Sequence, residues 1–211
     1  MRSVFGYKSQ VATRAADATR LNAAGILSEF DIDLASPVVS PYTNLDLRGT
    51  MDAVDAAGHS WIGWAASSLW LGNGTLHVPS IRELARPYPR AVAGSNVAFN
   101  FTVGATPREG SLTLSYDLDA AALGATEVFV STGLWWAKGD LSVRVQPVGA
   151  VQWEWEDVDG VVLLPDQPAT SCAPAPFAHS FLRVTAAQGR AGGGRVTVVV
   201  VSAAQRAKGG A

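Results

Sequence analysis

The sequence predicts an α/β segment followed by an all-β one, and three observations carry that prediction. Up to about residue 91, stretches with helical apolar spacing alternate with short apolar runs. Beyond Gly94 the helical spacing disappears. From there on, short β-branched or alternating runs follow one another, separated by Gly, Pro and Asp clusters. The expected architecture is a parallel α/β piece over residues 1–91 and an antiparallel β-sandwich domain over residues 92–211.

Taken in order, Ala12–Ala23 spaces its apolar residues as an amphipathic helix, with Gly25 as its stop. Ile26-Leu27-Ser28-Glu29-Phe30 follows as a short buried strand with one carboxylate at its end. In parallel α/β sheets catalytic groups collect at the carboxyl ends of strands, where loops are free to vary, so Glu29 is the leading candidate for chemistry. Asn44–Ala57 repeats the helical pattern at Leu45, Leu47, Met51 and Val54, and Gly58 stops it. His59–Ala65 reads as a second strand, with Ile62 and Trp64 on one face and Trp61 on the other. In Pro79–Arg86, Ser80 stands as an N-cap with Glu83 three residues on, and Pro87 and Pro89 close that helix.

The β region offers about eight strands: Val97–Val103, Ser111–Asp117, Glu127–Ser131, Leu141–Gln146, Val151–Glu156, Val161–Leu164, Ser180–Thr185 and Arg195–Ser202. Asp159-Gly160 is a two-residue hairpin signal, and Pro165–Ala178, with four prolines, is a loop. Trp153 and Trp155 share one face of their strand and Glu154 and Glu156 the other, the pattern of a half-buried strand. Trp135-Trp136 falls in a loop just after Gly133, where an indole can be presented to a sugar or a lipid.

At 211 residues, 48% of them apolar, the chain has room for one large domain or two small ones with an ordinary soluble core. Sixteen basic against eighteen acidic side chains leave a formal charge of −2, so charge favours neither nucleic acid nor an anionic membrane. Apolar runs such as Val196–Val201 are strand-length, and Met1–Gly6 lacks the apolar stretch of a signal peptide. Cys172 is alone and forms no internal disulfide. His59, His77 and His179 show no metal-ligand spacing, and the acidic residues between Asp117 and Asp159 lack that of a calcium loop, so no metal or other cofactor is expected. Asn73-Gly74-Thr75 and Asn100-Phe101-Thr102 fit the N-glycosylation triplet.

Three segments resemble a known family. Leu27-Ser28-Glu29-Phe30 is similar to the (L/V)-T-E-(F/W)-G segment that ends the seventh barrel strand of glycoside hydrolase family 5, and Ser60-Trp61-Ile62-Gly63-Trp64 to its eighth-strand S-W-x-x-W. Ala85-Arg86-Pro87-Tyr88-Pro89-Arg90-Ala91-Val92-Ala93-Gly94 resembles the ARPYPQAVAG segment of endoglycoceramidases, the most specific of the three. The departures are Ser28 for Thr, Asp31 for Gly, and Ala65-Ala66 where larger polar groups are usual. The resemblance implies the last two β/α units of a (β/α)8 TIM barrel, a partial barrel that starts inside the fold, followed by a C-terminal β-sandwich.

It also implies a retaining hydrolase of glycosphingolipids with Glu29 as nucleophile, Trp64 as a sugar platform and Trp61 as a lesser substrate contact. The implied partners are a glycolipid or oligosaccharide substrate and a membrane surface lipid, in a secreted or extracellular parent. Retention needs a second carboxyl about 5–5.5 Å from the first as acid/base. Upstream of Glu29 the only acidic residue is Asp17, inside a helix, so the chain is expected to hold half of the pair and to be inactive alone. The alternative is a carbohydrate- or lipid-binding β-sandwich working through Trp135-Trp136 or its edge, with the α/β piece as a support.

Overall fold

Helix α1 (Val4–Arg20) ends earlier than its apolar spacing predicts, and Asn22 is what ends it. Asn22 lies at φ 50, its N–H reaches the Thr19 carbonyl at 3.1 Å, and the Ala23 N–H reaches that of Ala18 at 2.9 Å. That is a Schellman cap with Asn in the left-handed position. Gly25, the expected stop, has another task. A Cβ there would fall 2.1 Å from the His59 ring, so only glycine lets the imidazole lie against the backbone where β1 begins. Helix α2 (Leu45–Ala57) ends as expected at Gly58, φ 62, through the same pair of bonds, Gly58 to Asp55 and His59 to Val54, both 3.1 Å.

This computed structural model describes residues 4–31, 45–64, 69–104, 109–136, 140–158, 179–187 and 194–202. Its contacts divide the chain into Met1–Ala85 and Arg86–Ala211. Expected features at Asp33, Tyr42, Ala65-Ala66, Asp159-Gly160, Val161–Leu164, Pro165–Ala178 and Cys172 lie outside the described residues.

In the first unit β1 (Ile26–Asp31) and β2 (Ser60–Trp64) pair in parallel, joined through α2. Phe30, Leu47 and Met51 form a buried cluster, with Leu27, Trp61, Leu69 and Leu84 packed against it. The spacing of Leu47, Met51 and Val54 puts all three on one helix face, where each is 3% exposed or less. Burying one such side chain contributes about 1.5–3 kcal/mol.

Helix α3 (Val78–Leu84) starts before the expected Ser80 cap, with His77 at the N-cap and a proline in its first turn. The Ser80 hydroxyl meets His77 Nδ1 at 2.8 Å, with Ser80 inside the helix and not at its cap, and Glu83 reaches another helix. Its side chain is fully buried and accepts from Arg48 on α2, Nη2 at 2.6 Å and Nε at 3.0 Å. The charge crosses from one helix to the next because burial leaves a carboxylate no water to fall back on.

The second unit is a β-sandwich of two four-stranded antiparallel sheets, ordered β4-β5-β10-β7 and β3-β6-β9-β8. The strands are β3 (Tyr88–Ala91), β4 (Gly94–Val103), β5 (Gly110–Leu118), β6 (Thr126–Val130), β7 (Leu141–Gln146), β8 (Val151–Val158), β9 (His179–Ala186) and β10 (Arg195–Ser202). Burial alternates strictly along β5, β6 and β10, so Leu112, Leu114, Tyr116, Val128, Val130, Val196, Val198 and Val200 line the core. Strand β3 was not expected, because its prolines read only as a helix stop. It pairs with β6, Tyr88 opposite Phe129, and Pro89 is tolerated since β3 is an edge strand. The division between the units therefore falls before β3, at Ala85/Arg86, ahead of the expected 91/92.

Two measurements check these assignments. A fragment of residues 86–211 should fold cooperatively with a β-type circular dichroism spectrum, and residues 92–211, which expose the β6 edge, should melt lower; equal melting would deny β3 its place. Arg48→Met should destabilise the first unit by about 3–5 kcal/mol by leaving Glu83 buried without its arginine, and the double change Arg48→Met/Glu83→Leu should recover most of that loss in denaturant titrations.

Candidate active site

Strand β1 does not keep a simple alternation. Leu27 and Phe30 both face the helix-side core although they stand three residues apart, and Ser28 and Glu29 between them are both exposed. A regular strand would put Leu27 and Glu29 on one face and Ser28 and Phe30 on the other. The register records how the conflict is resolved: Ser28 pairs with Ile62 and Phe30 with the next residue, Gly63, so Glu29 is the extra residue of a β-bulge. Its φ is 58, in the left-handed region that a non-glycine residue enters at a cost of about 1–3 kcal/mol.

The bulge decides where the carboxylate goes. Paired residues of a parallel ladder share a face, so Ile26, Ser28, Ile62 and Trp64 project from the face opposite α2, and the bulge turns Glu29 out of the core. Ile26, Ile62 and Trp64 are 59%, 53% and 61% exposed. A carboxylate and an indole are thus presented on the open side of the sheet, at the carboxyl ends of neighbouring strands. Trp61, the lesser candidate, turns the other way. It pairs with Leu27 on the covered face and meets Phe30 edge to face at 5.8 Å, inside the core.

The groove of about 570 Å³ in this unit lies elsewhere, between α1 and the start of β1, lined by Arg14, Gly25 and His59 among others, and includes neither Glu29 nor Trp64. Among the described residues no group of His, Cys, Asp and Glu side chains has the arrangement to hold a metal ion.

The sandwich places its tryptophans differently from the binding alternative. Trp135 and Trp136 are 3% and 1% exposed, each edge to face with Phe101 at 5.0 and 5.7 Å. A turn in which the Trp135 N–H bonds the Ser131 carbonyl at 3.0 Å folds both rings inward, so neither is free to stack on a sugar. Trp155 is half-buried and Trp153 is 44% exposed at the β8 edge of its sheet.

Sequence reasoning placed Glu29 on the right strand but missed the bulge. The signal was present in the four letters Leu-Ser-Glu-Phe, whose apolar ends are spaced three apart inside a strand. The bulge can be tested by stability alone. Glu29→Gly should leave the protein as stable or more so, because glycine enters the left-handed region freely, whereas Glu29→Val should cost about 1–3 kcal/mol. Equal losses in both variants would mean that residue 29 has an ordinary strand conformation.

Comparison with known proteins adds a likeness over part of the chain. Residues 86–171 match the family model described as Glycoside hydrolase family 5 C-terminal domain. The structure resembles endo-glycoceramidase II from Rhodococcus sp., solved in a cellobiose-like isofagomine complex, with TM-score 0.58 and 22% identity, over 94% of this chain and 37% of that one. The ganglioside GM3 complex of the same protein gives TM-score 0.56 at 22% identity, over 94% and 36%. Cryptococcus neoformans sterylglucosidase 1 gives TM-score 0.60 at 12% identity, over 94% and 32%. The chain spans about a third of the length of these proteins, and no curated protein matches it significantly. Residues 86–171 are thus similar to the C-terminal domain of glycoside hydrolase family 5, and the fold resembles that of endo-glycoceramidase II.

Proposed function

We propose that the chain is the nucleophile-bearing part of a retaining glycoside hydrolase acting on a glycolipid, with Glu29 as nucleophile and Trp64 as the sugar platform. The observation that carries this reading is the bulge. A carboxylate held at φ 58 on the exposed face beside an exposed indole costs stability, and nothing in the packing of the first unit requires the residue there to be acidic. Strain of that kind gathers at functional positions.

The chemistry follows from the groups. A Glu29 oxygen attacks the anomeric carbon, the bond to the aglycone oxygen breaks, and that oxygen takes a proton from an acid. Water, deprotonated by the same group, then releases the sugar from Glu29 with net retention. Trp64 offers an indole face to the C–H face of the ring, an interaction that combines burial with the ring quadrupole.

Most carboxylates of the first unit are committed elsewhere. Asp17 is forked between Arg14 and Arg20 at 3.1 and 3.4 Å, Glu83 is buried on Arg48, and Asp46, Asp52 and Asp55 ride on α2. On this reading the acid/base comes from strands beyond this pair. The ceramide-linked oligosaccharide bond of a glycosphingolipid, met at a membrane surface, is the substrate this reading favours. The ganglioside complex of the Rhodococcus enzyme supports that choice. The binding alternative loses its two aromatic contacts with the burial of Trp135 and Trp136.

The isolated chain should show no detectable hydrolysis of glycosphingolipids. Joined to the amino-terminal barrel portion of an endoglycoceramidase, it should turn over, and the two substitutions should rank. Glu29→Gln should lower the rate by several orders of magnitude, whereas Trp64→Ala should cost about 2–4 kcal/mol, on the order of 10²–10³ in rate. A 2-deoxy-2-fluoro glycoside should leave its sugar on Glu29 in peptide mapping; label on another carboxylate, or turnover by the chain alone, would overturn the assignment.

A further inference from the structure

The two asparagine triplets are chemically alike in sequence and unlike in structure. Asn73-Gly74-Thr75 forms the tip of a small hairpin after β2, closed by a bridge between Trp70 and Leu76. Backbone bonds hold it shut: Gly74 to Leu71 at 2.8 Å, Leu71 to Thr75 at 2.7 Å and His77 to Leu69 at 2.7 Å. Gly74 stands at φ 77 with open space where a Cβ would be, and residues 70–75 are exposed throughout. Within the turn, Asn73 Oδ1 accepts two hydrogen bonds, from the Thr75 N–H at 3.0 Å and from the Thr75 hydroxyl at 2.6 Å.

Two donors on the amide oxygen polarise the amide and make its N–H protons easier to remove. Asn100-Phe101-Thr102 has the opposite polarity. There the amide nitrogen is the donor, Asn100 Nδ2 to Thr102 Oγ1 at 3.2 Å. Asn100 also sits inside β4, paired with Thr113 of β5, and its neighbour Phe101 is 5% exposed in the core. At one triplet the nitrogen is available and the hydroxyl serves the oxygen; at the other the nitrogen is engaged and the backbone is part of a sheet.

We propose that Asn73 is an N-glycan acceptor, borne on the hairpin after β2, and that Asn100 is not. The donor is a polyprenyl-pyrophosphate-linked oligosaccharide brought by a membrane transferase. Asn73 Nδ2 bonds to the anomeric carbon and loses one proton to a carboxylate base of that transferase. The C–O bond to pyrophosphate breaks, and the polyprenyl pyrophosphate departs with the electron pair. The assignment stands apart from the role of Glu29, since it concerns a different segment and a different reaction.

The test uses the full chain behind a secretion leader in eukaryotic cells. Digestion with a glycan amidase should speed its migration and convert Asn73 to aspartate in the tryptic peptide of residues 49–82, leaving the peptide of residues 91–108 unchanged. Asn73→Gln and Thr75→Ala should each abolish the shift, Thr75→Ser should keep it, and Asn100→Gln should change nothing. An unmodified 49–82 peptide from the secreted chain, or conversion at Asn100, would overturn the proposal.

Discussion

Side chains on a strand alternate, and Leu27 and Phe30 must nevertheless reach the same helix. That single conflict shapes the first unit. Both residues are needed to close the cluster with Leu47 and Met51, and a ladder of period two cannot deliver both without an extra residue. The bulge supplies it, and the residue left over is Glu29. Had the alternation run unbroken, the carboxylate would lie under α2, where ionisation is costly, and Phe30 would stand in water. The apolar packing on one side of the sheet and the position of the charged group on the other are consequences of one backbone irregularity.

The same unit shows where charge is tolerated and where it is not. Glu83 is fully buried and survives because two N–H groups of Arg48, Nε and Nη2, donate to its Oε1 across two helices. Glu29, by contrast, is left exposed on the open face of the sheet. Two glutamates in one small fold thus have opposite fates. One is held by its partner and has no reach, whereas the other carries a strained backbone and a free path to solvent. The second is the one the proposed reaction would use.

Much of this was legible in the sequence, for reasons that can be named. Strand β5 reads Ser-Leu-Thr-Leu-Ser-Tyr-Asp and β10 Val-Thr-Val-Val-Val-Val, and both formed where alternation and β-branching placed them. Gly58 ended α2 because a glycine was in the left-handed position a cap requires. The misses were residues whose role is set by distant partners. Gly25 answers to His59, Glu83 to Arg48 and Pro89 to Val128 on β6, none of which is a near neighbour in the chain. Asn22 could have been read, since asparagine is the second choice for the left-handed cap, but Gly25 drew the prediction. Trp135 and Trp136 stand at a turn as expected, but a loop assignment says nothing of which way the turn folds its rings.

A parallel pair of strands buries its backbone comfortably only when both faces are covered. In this unit α2 covers one face, and the other carries Ile26, Ile62 and Trp64 in the open beside Ser28 and Glu29. An apolar surface is costly to leave wet, yet it is what a sugar ring with an apolar aglycone requires once further strands enclose it. There the loss of water would strengthen every interaction of the Glu29 carboxylate with a developing positive charge, since the effective dielectric falls as solvent leaves. On the proposed reading the exposed indole and the strained carboxylate are two parts of one arrangement: the first would displace water from the face on which the second would act. A bulge that merely relieved a packing conflict could carry any polar residue, and a platform without a nucleophile could only bind. Their presence on a single face of a parallel pair is the physical ground for reading it as part of a hydrolytic site.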